Sequence, residues 1–369
     1  MTTSTQEQVA ASRAHSVFHP LRVADVERLT DDAVVVSFDV PPDIADAYAF
    51  APGQHLTLRA TIDGEEVRRS YSICSTPSSG RLRVAVKVLE GGVFSGHANT
   101  ALEPGDVLDV MTPAGRFGVD LDPTHAKRYA AVVAGSGITP VLSIAGAVLE
   151  TEPRSTFTLV YGNRTSGSVM FTEELADLKD RYPARFQMMH VLSREPHNAD
   201  LLHGRIDEAK VRQLLELVVP PATVDEWFLC GPFGMVQQVR QSLEARGVPK
   251  RTVHLELFHV DGEAPRVARH LPRDGSDDGQ EVTVRLDGRS STFRMPEQGS
   301  VLDATLAVRP DAPFACKGGV CGTCRARVVR GHVEMARNYA LEPAEVEAGF
   351  VLACQSVPTT PVLELDFDA

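Results

Sequence analysis

Cysteine is scarce in this chain: 369 residues hold six, far below the density of a disulfide-stapled scaffold. Four of the six crowd between 316 and 354, and such clustering in a reducing compartment points to metal or redox chemistry rather than crosslinks. Long apolar runs are missing as well. No window reaches the roughly 18–20 residues of a spanning helix, and the opening MTTSTQEQVAASRAH lacks the apolar core of a secretory signal. Positive charge is in deficit. The net charge of −12 argues against a nucleic-acid backbone or an anionic membrane surface as the main partner. No internal repeat is visible. What is present is an ordinary globular composition, 43% hydrophobic and 23% charged, on a chain long enough for two or three domains. The protein is expected to be soluble and cytoplasmic.

Residues 18–122 carry short alternating stretches such as AVVVSFDV, HLTLRATI and DVLDVMT, punctuated by Pro52-Gly53, Asp63-Gly64 and Pro104-Gly105. That pattern predicts an antiparallel β-barrel. Over 126–258 the character changes. The near-continuous apolar RYAAVV suits a strand buried on both faces, and strand and helix patterns then alternate as far as TVHLELF. Such alternation predicts an α/β, doubly wound parallel sheet. Residues 259–280 are rich in Gly, Pro and charge and read as a linker. The remainder, 281–369, contains a hairpin around Asp287-Gly288, a helix at SVLDATLAV and the cysteine stretch. The expected protein is multidomain.

The spacing Cys316-x4-Cys321-x2-Cys324, with Cys354 thirty residues on, matches plant-type [2Fe–2S] ligation. Zinc sites more often show two short pairs. Lys317, Gly318, Gly319, Val320 and Gly322 form a small-residue loop whose N–H groups can approach the sulfurs closely. AGSGITP, 134–140, stands where a buried strand meets a helix. Gly135 and Gly137 would let the backbone approach a pyrophosphate there, although a plain strand–helix turn accounts for the same residues. In RRSYSICS, 68–75, Arg69, Tyr71 and Ser72 at alternating strand positions are expected on one face, offering a phosphate fork, a stacking ring and a hydroxyl. An ordinary barrel strand is the alternative. EGGVFSGHANT adds Gly92 and Ser95 before a short helix, a plausible phosphate cradle. Cys74 reads as a small core residue. His190, His197 and His203 lack ligand spacing and read as solvated loop positions.

In this order, R-x-Y-S, G-G-x-x-S, G-S-G-I-T-P, C-G-P and the ferredoxin-type tail resemble the ferredoxin–NADP reductase superfamily fused to a ferredoxin. More narrowly, PGQHLTL, GEEVRRSYSIC, YGNRTS, DLLHGRID, FACKGGVC and NYALEP are similar to reductase subunits of phenylacetyl-CoA epoxidase, from about His19 to the C-terminus. The resemblance implies a barrel that binds FAD, an NAD(P)-binding domain and an α+β (β-grasp) [2Fe–2S] domain. It implies Arg69, Tyr71 and Ser72 against the flavin and backbone contacts from Val86 and Lys87. Gly92, Val93 and Ser95 would meet the pyrophosphate, and Gly135, Gly137, Ile138 and Thr139 the dinucleotide. Cys230 and Gly231 would lie beside the nicotinamide, with Tyr71, Ser72 and Cys230 as the catalytic set. Arg164, Ser193 and Arg194 would select NADPH through its 2′-phosphate. Cys316, Cys321, Cys324 and Cys354 would ligate iron. The implied path runs NADPH to FAD to [2Fe–2S] to a separate diiron oxygenase that epoxidises phenylacetyl-CoA. A reductase for another multicomponent oxygenase, or a redox-sensing carrier, are the other readings. From Ala312 to Val333 the basic residues Lys317, Arg325, Arg327 and Arg330 occur without any Asp or Glu, suggesting a face for an acidic partner.

Overall fold

A computed structural model of the chain describes residues 17–258, 279–295 and 299–369. Nearly all of the expected linker, 259–278, lies outside the described residues.

Six strands build the first unit: β1 (Phe18–Thr30), β2 (Ala33–Asp39), β3 (His55–Ile62), β4 (Glu65–Ser72), β5 (Leu82–Lys87) and β6 (Val107–Met111), with the helix α1 (Val93–Thr100) between the last two. Their antiparallel order is β4-β3-β6-β1-β2-β5. The Ile73–Val84 bridge and the Cys74 N–H to Arg83 carbonyl bond join the two edges, so the sheet curls shut as the barrel pattern predicts. Alternating inward residues fill it, among them Val23, Leu56, Leu58 and Val84, with Phe94 of α1 packed against them. The long β1 lacks a clean alternation because two register shifts interrupt its pairing with β2.

The second unit alternates β7 (Arg128–Ala134), α2 (Ile138–Thr151), β8 (Thr156–Asn163), α3 (Thr172–Arg181), β9 (Phe186–Leu192), α4 (Glu208–Leu217), β10 (Glu226–Cys230), α5 (Phe233–Glu244) and β11 (Val253–Glu256). All strand pairs are parallel, in the order β9-β8-β7-β10-β11. The order reverses at β7, so a crevice opens beyond the carboxyl ends of β7 and β10. Helix α2 is buried almost all round, which explains its unbroken apolar sequence. It lies between sheet and barrel: Ser143 Oγ donates to the Ser75 carbonyl at 2.7 Å, and Val141, Ile144 and Val148 share one core with Ala33, Val35 and Ala85 of the barrel. Each large side chain of that core contributes about 1.5–3 kcal/mol by burial, so the two units are fixed against each other. His190 is not a loop residue as expected. It sits on β9 with its ring 5.7 Å from that of Tyr161, and burial lowers its pKa.

The last unit is a mixed sheet, with β12 (Glu281–Leu286), β13 (Arg289–Arg294), β14 (Arg325–Arg330), β16 (Phe350–Leu352) and β18 (Val362–Asp366) in the order β13-β12-β18-β14-β16. The helix α6 (Val301–Val308) buries Val301, Leu302 and Ala304 in its core. A small ribbon of β15 (Val333–Met335) and β17 (Ser356–Pro358) and the short helix α7 (Pro343–Glu347) complete it. Asp287-Gly288 forms the expected hairpin turn, both residues at positive φ.

Candidate functional site

A cleft of about 1130 Å³ opens between barrel and parallel sheet. From the barrel, Arg69, Tyr71, Ser72, Lys87, Gly92 and Ser95 line it; from the sheet come Gly135, Thr139, Arg164, Ser193, Arg194 and Gly231. Twelve residues singled out from sequence therefore meet in one place. The ring of Tyr71 stands 5.5 Å from Phe94, which backs it as a fixed plate. Helix α1 presents its N-terminus to the cleft, with Gly92 as its N-cap and Ser95 in its first turn. Free N–H groups there favour a phosphate. The Ser95 hydroxyl braces the turn, accepting from the Leu89 N–H and donating to the Gly92 carbonyl, both at 3.1 Å.

Five expected residues do not line the cleft. Val86 is fully buried in β5 and its carbonyl accepts from Asn99 Nδ2 at 3.0 Å. Val93 opens α1 but points outward, 48% exposed. Ile138 belongs to the core. Gly137 serves packing rather than a phosphate: a Cβ there would lie 2.3 Å from the Cys230 carbonyl oxygen. Gly135, at φ +56°, is the glycine the turn itself requires. Cys230 is fully buried, and burial pushes its thiol up.

Two other expectations change. Ser72 is one residue out of phase with Arg69 and Tyr71, so the three do not share a face of β4. Its hydroxyl donates instead to Glu256 Oε2 at 3.1 Å. Arg164 is tied to Asp32 of the barrel at 2.8 Å, where Lys87 also binds at 3.2 Å; that carboxyl is held down chiefly by Thr30 and Lys87, against its burial. Arg194 is exposed at the cleft edge, and Arg205, within the DLLHGRID stretch, lines the same cleft.

Glu256 carries no signal in the sequence either, since TVHLELF reads as a plain closing strand. It pairs with Cys230 across β10 and β11. Desolvation pushes its carboxyl up to about 8, opposed by the Ser72 hydrogen bond. A protonatable group thus stands one hydroxyl from the floor of the cleft.

The four clustered cysteines come together as two pairs, Cys316 with Cys321 and Cys324 with Cys354. The loop winds through positive φ at Lys317, Gly319 and Gly322, which turns N–H groups inward. Gly318 N–H reaches Cys316 Sγ at 3.3 Å and Cys354 N–H reaches Cys324 Sγ at 3.5 Å. The Cys316 thiol, hydrogen-bonded by Cys321 and by the Gly318, Val320 and Cys321 amides, is held below the usual thiol range against its burial. Four thiols grouped two and two, wrapped by amide donors, suit a two-iron cluster. Gln355, unforeseen, bridges the loop by donating to the Lys317 carbonyl at 2.8 Å. The basic run does not stand free. Lys317 pairs with Asp303 at 2.9 Å, Arg325 with Glu345 at 2.9 Å and Arg330 with Glu364 at 3.7 Å. The expected face for an acidic partner is thus largely neutralised within the chain.

The cysteine loop abuts the cleft. A chamber of about 80 Å³ is lined by Cys316, Val320 and Cys321 on one side and by His55, Arg69, Ser72 and Glu256 on the other. One strand end therefore serves both sites.

Comparison with known proteins fits this geometry. The oxidoreductase FAD-binding domain family matches residues 20–118, the oxidoreductase NAD-binding domain 132–241, and the 2Fe-2S iron-sulfur cluster binding domain 284–359. The chain is 49% identical over 355 residues to a subunit of the 1,2-phenylacetyl-CoA epoxidase of Escherichia coli (strain K12), spanning 96% of this chain and 99% of that protein. It is 34% identical to the ferredoxin reductase component of 3-ketosteroid-9-alpha-monooxygenase of Rhodococcus rhodochrous, over 94% and 96% of the two chains. Among solved structures, phthalate dioxygenase reductase, described as a modular structure for electron transfer from pyridine nucleotides to [2Fe-2S], superposes with a TM-score of 0.59 at 25% identity, covering 95% of this chain and 98% of that one. FAD, a pyridine nucleotide and a [2Fe–2S] cluster are the groups these sites take.

Proposed function

The chain belongs to the family of phenylacetyl-CoA epoxidase reductase subunits, which join FAD-, NAD- and 2Fe-2S-binding domains, and from that premise we propose that it supplies a diiron oxygenase that epoxidises phenylacetyl-CoA. The protein is an NAD(P)H-dependent oxidoreductase. The observation that carries its chemistry is the shared strand end: Arg69 and Ser72 border both the nucleotide cleft and the cysteine chamber. The flavin converts a two-electron hydride into the single electrons a cluster accepts. The test of the partner is reconstitution. NADPH-driven oxygenation of phenylacetyl-CoA should appear with a phenylacetyl-CoA oxygenase and not with a 3-ketosteroid oxygenase; the reverse would reassign the partner.

In this reading, residues 18–122 hold FAD, 126–258 hold NADPH and 281–369 hold the cluster, joined by 259–280. Arg69 pairs phosphate, Tyr71 stacks on the flavin, and the α1 N-terminus with Gly92 and Ser95 receives the pyrophosphate. Lys87 orders the barrel edge through Asp32. Gly135, Thr139 and Gly231 border the nicotinamide dinucleotide, with Cys230 behind them. Cys316, Cys321, Cys324 and Cys354 hold the irons. No helix among the described residues is long and apolar enough to cross a membrane, and a cytoplasmic setting suits four clustered cysteines that form no disulfide.

Ser193, Arg194 and Arg205 form the 2′-phosphate end, whereas Arg164 is committed to Asp32. Arg194→Ala should raise the KM for NADPH by roughly ten- to a hundredfold, the worth of a charged hydrogen bond, and leave NADH nearly unaffected. Steady-state kinetics with both nucleotides decides it; equal losses would make Arg194 structural.

Glu256 gives a pH prediction. Below about 8 its carboxyl is protonated, so the site beside Ser72 is neutral. Above that pH a carboxylate stands there and opposes the negative charge a hydride brings. NADPH-driven flavin reduction should therefore fall as pH rises through about 8, and Glu256→Gln should flatten that fall. A profile unchanged by the substitution would remove Glu256 from the step.

A further inference from the structure

The side chain of Arg68, next to the cleft residue Arg69, turns away from the cleft into the junction with the cysteine-bearing unit. It is 6% exposed. Its guanidinium lies 4.2 Å from the ring centroid of Phe314 and 5.3 Å from that of Phe18. Its Nε donates to Glu66 at 2.8 Å, and Nη2 points at the Pro310 carbonyl at 3.5 Å. Among the described residues, Nη1 has no hydrogen-bond partner. Phe314 stands two residues before Cys316, and on its other contact Lys317 Nζ lies 5.0 Å from the same ring. Pro310 and Phe314 therefore bracket the segment that enters the cluster loop, and both rest on one barrel arginine.

Simple adhesion would be served better by an apolar side chain, since burying a guanidinium costs desolvation. What a cation stacked on a ring adds is direction, because its attraction depends on its place over the ring face. We propose that Arg68 is a positioning residue for electron transfer: its stack on Phe314 docks the cluster loop against the strand that carries Arg69, Tyr71 and Ser72. The inference rests on the proposed path from flavin to cluster. In each transfer one electron leaves the reduced flavin, oxidising it by one equivalent, and one oxidised cluster gains it. NADPH supplies the pair. Arg68 takes no part in the bonding; it fixes the gap the electron crosses.

The test uses the full, flavin- and iron-replete protein with Arg68→Ala, Phe314→Leu and both together. NADPH reduction of ferricyanide, which draws on the flavin, should stay within about twofold in each. The flavin-to-cluster rate after rapid mixing should drop at least tenfold in either single variant and no further in the double, because both break one contact. Amide hydrogen exchange over 309–316 should accelerate in both, a readout that needs no turnover. Phe314→Leu lies outside the barrel, so flavin loss cannot explain its effect. Unchanged exchange and transfer in Arg68→Ala, or effects of the two substitutions that simply add, would overturn the latch. A parent protein that reduces flavin but never its cluster would instead sink the path, while the exchange comparison would still judge the contact.

Discussion

Cys324→Ser should abolish delivery of electrons to the oxygenase while leaving the flavin half at work. Serine is a poor iron ligand beside a thiolate, and Cys324 is buried with Cys354 against its sulfur, so no water-exposed substitute can reach the gap. The cluster is expected to be lost. The cleft residues Arg69, Tyr71 and Ser95 belong to another unit, whose core is made of its own strands, and flavin content should persist. NADPH would then reduce ferricyanide at close to the parent rate, while oxygenase-coupled turnover would fall by at least a hundredfold. Both rates and the iron-to-flavin ratio are measured on one preparation. Joint loss of the two activities would mean that the cysteine loop also holds the flavin site together.

Gly137→Ala is the second substitution with a large expected effect. The added methyl would meet the Cys230 carbonyl oxygen at 2.3 Å, its carbon at 2.6 Å and the Gly231 nitrogen at 3.0 Å. All three are backbone atoms, so no side chain can swing aside. Helix α2 would have to retreat from β10 at the point where both border the cleft. The cost should reach about 3 kcal/mol, the upper part of the range for overpacking. Trp227, the single tryptophan of the chain and fully buried three residues before Cys230, reports the loss directly. Its emission should shift red at a lower urea concentration than in the parent, and NADPH reduction of flavin should fall at least tenfold. Gly135→Ala is the contrast: nothing lies within 4 Å of its Cβ position, and its cost is backbone strain alone. Equal unfolding midpoints for parent and Gly137→Ala would refute the packing role.

Much of this was legible in the sequence because the signals are local. Thiolate spacing is set by the reach of one loop around a cluster, so the triplet and Cys354 could be read without a fold. The strand–Gly–helix turn at 134–140 is likewise a local event, and unbroken apolar runs announce strands and a helix buried on all sides. What stayed hidden lies in pairing across long sequence separations. Arg68 and Pro310 are 242 positions apart, and nothing around either one names the other. Glu256 looked like a strand residue because its meaning comes from Ser72, 184 positions earlier. Arg164 resembled a phosphate ligand, and only the fold brings Asp32 to it. Ser72 lies on the face of β4 opposite Arg69 and Tyr71, as strand alternation alone requires. In β1, charged residues on the solvent side and two bulges hid the period of two.

The central claim is an order of events: pyridine nucleotide to flavin, flavin to cluster, cluster to oxygenase. The most direct measurement mixes anaerobic, cofactor-replete protein with one equivalent of NADPH and follows flavin and cluster absorbance separately, freezing samples for the paramagnetic signal of the reduced cluster. The account predicts that flavin bleaches first, that cluster reduction follows at a rate independent of protein concentration, and that added oxygenase then reoxidises the cluster. Cluster reduction that precedes flavin bleaching, or oxygenase reduced at full rate while the cluster stays oxidised, would contradict it.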